Sequence, residues 1–242
     1  MNYYNEFDPY AAQWLRNLID AGHIPKGEVD SRSIKDVSAS DLTGYTQCHF
    51  FAGLGGWSHA LRLAGWPEDR PVWTGSCPCQ PFSAAGSGGG VTDERHLWPT
   101  WFNLIRQCRP DVIFGEQVDA AINHGWLDLV QSDLEAEGYA SGAVGIPAAG
   151  IGAPHIRQRL WFVADTERQR RRCGQSAGQH ATNVDASSER TRSRRVRYGD
   201  AIERQPRPLV NGHPKRLAQL RAYGNAIVPQ VAQVFIEAYL ES

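Results

Sequence analysis

The stretch YTQCHFFAGLGGWSHALRLAGW (45–66) decides how this chain folds. Its first part, YTQCHFFAG, mixes β-branched, aromatic and apolar residues and ends at glycine, which predicts a buried strand. Its last part, WSHALRLAGW (57–66), has the spacing of a short helix that stops at Gly65. Gly53, Gly55 and Gly56 lie between the two. A strand that turns through glycines into a helix is half of a strand–helix–strand unit.

Working outward, the same alternation recurs. PVWTGSC (71–77), DVIFGEQV (111–118) and RLWFVAD (159–165) read as strands. AAQWLRNLI (11–19), PTWFNLIRQC (99–108) and HGWLDLVQSDLEAEG (124–138) read as helices, the first with Trp14, Leu15, Leu18 and Ile19 on one side. Strands alternating with helices predict an α/β fold: a mostly parallel sheet with helices on both faces. From Thr166 to about Pro208 apolar residues almost vanish, so this segment cannot order itself by burial. Structure is expected again toward the C-terminus, where LAQLRAYGNAIVPQVAQVFIEAYL ends in an amphipathic helix. The division expected is 1–165, an α/β catalytic domain; 166–208, a basic segment of low order; and 209–242, a return to the first domain.

The 242 residues suffice for one good core, and no apolar run is long enough to span a membrane. The N-terminus MNYYNEFDPY is acidic and lacks a basic-then-apolar leader, so a cytoplasmic protein is expected. Five cysteines without regular spacing argue against a disulfide framework. The net charge of −1 hides an asymmetry: residues 157–221 carry 16 Lys and Arg against 6 Asp and Glu, whereas the rest carries 9 against 20. One basic segment in a neutral chain suggests contact with a polyanion; a solvated arginine-rich loop is the plainer alternative.

In α/β sheets, ligands bind at the carboxyl ends of the strands. The glycine turn FFAGLGG (50–56) would let a ligand approach the backbone, although such turns are often only turns. GSCPCQPFSAAG (75–86) follows the next strand. Its C-x-C spacing is not that of a redox pair, and no further ligands complete a zinc site, so no metal is expected. One nucleophile remains, Cys79, with Cys77 a packed residue. A free thiol ionises near pH 8.5, so Cys79 needs a positive neighbour. Glu116, in FGEQV, ends an apolar strand, where an acid is expensive without a task or partner; a helix cap or surface acid is the plain reading. Arg157 and Arg159 in HIRQRLWFV alternate onto one face and could supply positive charge, unless they merely line an exposed strand.

Taken together, these motifs resemble the DNA cytosine-5 methyltransferase family. FAGLGG (51–56) is similar to its methyl-donor turn, and PCQPFSAAG (78–86) followed by DERHLW (93–98) to its nucleophile loop. GEQV resembles its Glu-Asn-Val motif, HIRQRLWFV its Gln-x-Arg-x-Arg motif, and GNAIVPQVAQVF (224–235) its C-terminal donor-binding motif. The order departs from the family's. YYNEFDPYAAQWL (3–15) resembles the ribose-holding motif, with Glu6 as the acid. SRSIKDVSASDL (31–42) resembles the adenine motif, with Ser33 and Ile34 at the contact positions and Ser33 in place of the family's aspartate. Both precede the glycine turn, which implies a circular permutation. Gln117 replaces an asparagine, and the region between the arginine motif and the C-terminal motif is far shorter than a folded recognition domain.

The resemblance implies a Rossmann-like, S-adenosylmethionine-dependent methyltransferase sheet with permuted motif order. Cys79 would attack C6 of a cytosine flipped out of double-stranded DNA. Glu116 would hydrogen-bond N3 and the exocyclic amine, Arg159 would hold O2, and Arg157 would help to position the thiolate and Glu116. S-adenosyl-L-methionine would be held by Glu6, Ser33, Ile34, Phe51, Gly53, Leu54, Gly55, Gly56, Leu97, Asn225 and Ala226. The loop SAAGSGGG (83–90) would close over the base. Loose arginines bind phosphate more than they read bases, so relaxed site selectivity, or a partner that supplies specificity, is expected. The economy of length fits a phage or another mobile element. The alternatives are a non-catalytic DNA-binding homologue and a pyrimidine C5-modifying enzyme that acts on nucleotides or RNA.

Overall fold

Seven strands form one sheet in the computed structural model, which describes residues 1–78, 97–166, 224 and 226–241. In chain order they are β1 (Asn2–Asn5), β2 (Gly27–Asp30), β3 (Gln47–Phe50), β4 (Val72–Gly75), β5 (Val112–Val118), β6 (Ala140–Pro147) and β7 (Gln158–Asp165). Across the sheet the order is β2-β1-β3-β4-β5-β7-β6. The first five run parallel; β7 is antiparallel to β5, and β6 to β7. The parallel part matches the alternation expected from sequence. The strand β6 was not expected: ASGAVGIP is built of small residues with an exposed middle, and an edge strand of this kind lacks a buried apolar run.

Among the described residues five helices accompany the strands: α1 (Pro9–Asp20), α2 (Gly56–Leu63), α3 (Trp98–Cys108), α4 (Trp126–Ala136) and α5 (Pro229–Leu240). The start of α1 is explained by Asp8, whose carboxylate accepts the N–H groups of Tyr10 and Ala11, and by Pro9, which has no N–H to leave unpaired. Its buried residues are Ala11, Ala12 and Leu15, and Leu18 and Ile19 pack beside them.

Period-two alternation sorts the strand residues into two layers. Cys48, Phe50, Trp73, Ile113 and Phe162 face α3 and α4, where Trp98, Trp101 and Trp126 meet edge-on. Trp98 donates its indole N–H to Asp133 at 2.7 Å, so this buried ring keeps a polar partner. On the other face Val72, Phe114 and Trp161 pack with Trp57 of α2 and with Val231, Phe235 and Ile236 of α5. There α1 covers Tyr4, on whose ring His49 stacks at 4.9 Å. Helices therefore lie on both faces, as expected. Of the basic segment 166–208 only Thr166 is described; the remainder lies outside the described residues. Among the described residues no helix is long and apolar enough to cross a membrane.

This topology gathers chemistry at one edge of the sheet. The parallel strands β1, β3, β4 and β5 deliver Glu6, Phe51, Ser76 and Glu116 at or just past their carboxyl ends. Because β7 runs the opposite way, its beginning lies beside the end of β5, with Arg159 opposite Val118.

Candidate active site

Glu116 is 7% exposed, in a strand whose residues are buried from Val112 to Gln117. Its Oε1 lies 2.9 Å from Arg159 Nε. Burial pushes its carboxyl above the usual range; the charge of Arg159, a hydrogen bond from the Ser76 hydroxyl and the charge of Arg157 oppose that push without cancelling it. An acid so placed tends toward the protonated form, which can donate as well as accept. Next to it, Gln117 folds back on the backbone: Nε2 donates to the Cys77 carbonyl at 3.2 Å, and Oε1 accepts the Val118 N–H at 2.9 Å. The side-chain amide thus ties the end of β5 to the backbone two residues before Cys79. Cys77 is 4% exposed in the core under α3, the packed residue expected. Cys79 itself lies outside the described residues.

The glycine turn joins β3 to α2. Gly55 has φ +76° and is crowded by Ile24, Leu15 and Leu18, so a side chain would be strained there twice over. A Cβ on Gly56 would stand 2.6 Å from Ile227, which shows how closely the C-terminal segment is seated on the start of α2. Phe51 adopts φ +52°, unusual for a non-glycine residue, and its ring meets Trp101 edge-on at 6.2 Å. Gly53 donates its N–H to Glu6 Oε2 at 2.7 Å, and Asp8 donates to Glu6 Oε1 at 2.8 Å. Burial raises the Glu6 carboxyl above its ordinary value despite these two donors.

Arg157 also has a positive φ, +34°. Its Nη2 donates to the carbonyls of Ala226 at 2.6 Å and Gly224 at 3.1 Å, which flank Asn225. Burial, the like charge of Arg159 and, in opposition, the charge of Glu116 leave its guanidinium below the usual value. Among the described residues a small cleft opens between the glycine turn and this segment, lined by Phe51, Gly53, Leu54, Gly56, Trp57, Ser76, Ala226 and Ile227.

The remaining candidates lie as follows. Leu97 precedes α3 and packs half-buried against the core that also borders Phe51. Ser33 caps a short 3-10 turn at Ile34–Asp36, accepting the Lys35 N–H. Ile34 is buried in the core with Tyr3 and Phe50. Asn225 lies outside the described residues. Two residues at the site escaped the motif reading, Ser76 and Trp57. Their signal was position alone: Ser76 lies between the strand glycine and Cys77, and Trp57 directly follows the glycine turn.

A family model described as C-5 cytosine-specific DNA methylase matches residues 66–205. Similar curated proteins include the type II methyltransferases M.AplI of Arthrospira platensis and M.HhaI of Haemophilus parahaemolyticus. M.AplI is 33% identical over 95 residues, spanning 38% of this chain and 28% of its own length. M.HhaI is 25% identical over 167 residues, 53% of this chain and 51% of its own length. The chain thus spans about half or less of the length of these relatives. Among solved structures, the Entamoeba histolytica methyltransferase EhMeth aligns over 68% of this chain and 44% of its own, at 16% identity and a TM-score of 0.48. The family match covers more than half of the sequence and includes the loop of Cys79, the Glu116 strand and both arginines; the chain belongs to the C-5 cytosine-specific DNA methylase family.

Proposed function

We propose that this chain transfers a methyl group from S-adenosylmethionine to C5 of cytosine in double-stranded DNA, through a covalent bond between Cys79 and C6. The observation that carries this reading is Glu116: buried at a strand end, biased toward its protonated form, and held by Arg159 and Ser76. Cytosine offers an acceptor at N3 beside a donor amine. A protonated carboxyl donates to the first and accepts from the second. That pairing offsets the charge that develops as Cys79 adds to C6 and raises the electron density at C5. Arg159, already at the carboxylate, would hold the base O2. Loss of the C5 proton then returns the electron pair that breaks the carbon–sulfur bond and frees Cys79.

The residues fit the donor. Each oxygen of Glu6 accepts one N–H, and a carboxylate retains further lone pairs for the hydroxyls of a ribose. Ser33, Ile34, Phe51, Gly53, Leu54, Gly55, Gly56, Leu97, Asn225 and Ala226 would complete the binding site. S-adenosylmethionine supplies an electrophilic methyl group. Arg157 contributes from the side by holding the Gly224 and Ala226 carbonyls, which orients the segment that carries Asn225.

The same reading takes the chain as circularly permuted. The adjacency of β1 to β3 and the bond from Gly53 to Glu6 support it, because they join the ribose-type motif to the donor turn despite its early place in the sequence. It also keeps the division into 1–165, 166–208 and 209–242, with the basic middle segment against DNA phosphates and a partner supplying further site selectivity. The test is direct. The protein is incubated with unmethylated genomic DNA and labelled S-adenosylmethionine, and the nucleosides are analysed by mass spectrometry. Labelled 5-methyldeoxycytidine, absent with Cys79→Ser, is the expected result; its absence with wild-type protein overturns the reading.

A further inference from the structure

Ser76 stands where two parts of the site meet. It follows Gly75 at the end of β4, whose partner on β5 is Gly115, so it stands beside Glu116. It also lines the cleft beside the glycine turn, and its hydroxyl is among the groups that oppose the upward push of burial on the Glu116 carboxyl. Its Oγ accepts the indole N–H of Trp57 at 3.0 Å. An indole nitrogen only donates, so the direction of this bond is set. With one lone pair of the hydroxyl taken, its single hydrogen is left for the Glu116 carboxylate. The indole cannot swing away: Trp57 is buried, edge-on to Trp161 at 5.4 Å and stacked toward Phe114 at 6.2 Å.

The charged and polar groups that face Glu116 come from both sides. Arg159 and Arg157 approach from the start of β7 and the turn before it, and Ser76 from the end of β4. Arg159 takes Oε1 from one side and Ser76 stands on another element, so the carboxyl group is constrained from two directions. We propose that Ser76, oriented by Trp57, is a positioning residue for Glu116: it sets the rotation of the carboxyl group. The proposal rests on Glu116 being the acid that holds the base. It assigns Ser76 a donor's task toward Glu116, separate from any contact with the methyl donor.

The consequence is an asymmetric titration. A hydroxyl that donates to a carboxylate favours the ionised form, so its removal leaves burial less opposed. The experiment is a carbon-13 NMR titration of the full chain, labelled at the glutamate carboxyl carbons, with the Glu116 signal identified by its loss in Glu116→Gln. In Ser76→Ala the Glu116 midpoint is expected to rise by about half a pH unit or more. In Trp57→Phe, which leaves the hydroxyl free to rotate, it rises by less. In the methyl-transfer assay, Ser76→Ala is expected to shift the alkaline limb of the pH profile upward and to lower kcat by about three- to tenfold, with the KM for the donor unchanged. An unchanged Glu116 midpoint in Ser76→Ala overturns the proposal. A shifted midpoint in a protein that transfers no methyl group supports the positioning role and refutes the methyl-transfer reading instead.

Discussion

The carboxylate of Glu6, just past the end of β1, accepts the backbone N–H of Gly53, just past β3, at 2.7 Å and across 47 positions of sequence. One side chain thereby joins the first strand to the glycine turn. Glu6→Ala removes that acceptor and the one used by Asp8, so it should act on ligand binding and on stability together. Donor affinity is expected to fall by about tenfold or more by calorimetry, with stability lower by about 1–3 kcal/mol. Unchanged affinity would count against the permuted order.

Arg157 donates to backbone carbonyls, while its charge also acts on Glu116. Arg157→Ala leaves the Gly224 and Ala226 carbonyls without this donor. The expected result is weaker donor binding, by about tenfold, and faster proteolysis of the C-terminal segment. A loss of kcat with donor binding intact would show that Arg157 serves the base instead.

Glu116→Gln separates stability from chemistry. The folded-state pKa of Glu116 is raised, so its ionised form costs stability as pH rises above the value of the unfolded chain. The glutamine still accepts from Arg159 through its one amide oxygen, without that cost. At neutral pH the melting temperature is expected to match or exceed that of wild type, while methyl transfer falls by about a hundredfold or more. A clear drop in melting temperature would mean that the ion pair with Arg159 is worth more than the burial.

The two cysteines should part company. Cys77 is packed in the core, so Cys77→Ser buries a hydroxyl at a cost of about 1–3 kcal/mol and leaves methyl transfer largely intact. Cys79→Ser should abolish product without comparable loss of stability. Equal losses of activity would misassign the nucleophile.

His49 makes the fold acid-sensitive. Burial lowers its pKa to about 3, whereas an unfolded histidine titrates near 6.5. Between those values the unfolded chain binds a proton that the folded chain does not. The contribution is complete above pH 6.5 and is lost as pH falls, amounting to about 2 kcal/mol by pH 5. His49→Gln should show a smaller loss between pH 7 and pH 5 in denaturant titrations. An equal loss would place the acid sensitivity elsewhere.

Much of this could be read from residue order. Strand-to-helix alternation follows from local periodicity, and the glycine turn, the Pro-Cys loop, Glu116 and the arginine pair are contiguous motifs. What escaped is non-local or weakly patterned. β6 is an edge strand of small residues, recognisable only beside β7. Ser76 and Trp57 are 19 positions apart, and neither belongs to a motif by itself. Arg157 was expected beside the thiolate and the acid; its charge acts on Glu116, and what residue order did not show is that its Nη2 also donates to carbonyls 67 and 69 positions away.

The sequence by itself determined the elements and the chemical types at their ends, because hydrophobic period, glycine turns and proline act within a few residues. Only the tertiary structure decided which of those ends meet and in which direction their affinity for protons moves. The parallel register brings Glu6 to Gly53, the reversal of β7 brings Arg159 to Glu116, and the burial those contacts create biases Glu116 toward its proton. Such effects depend on distances and on the exclusion of water, which are set by packing between segments far apart in the chain.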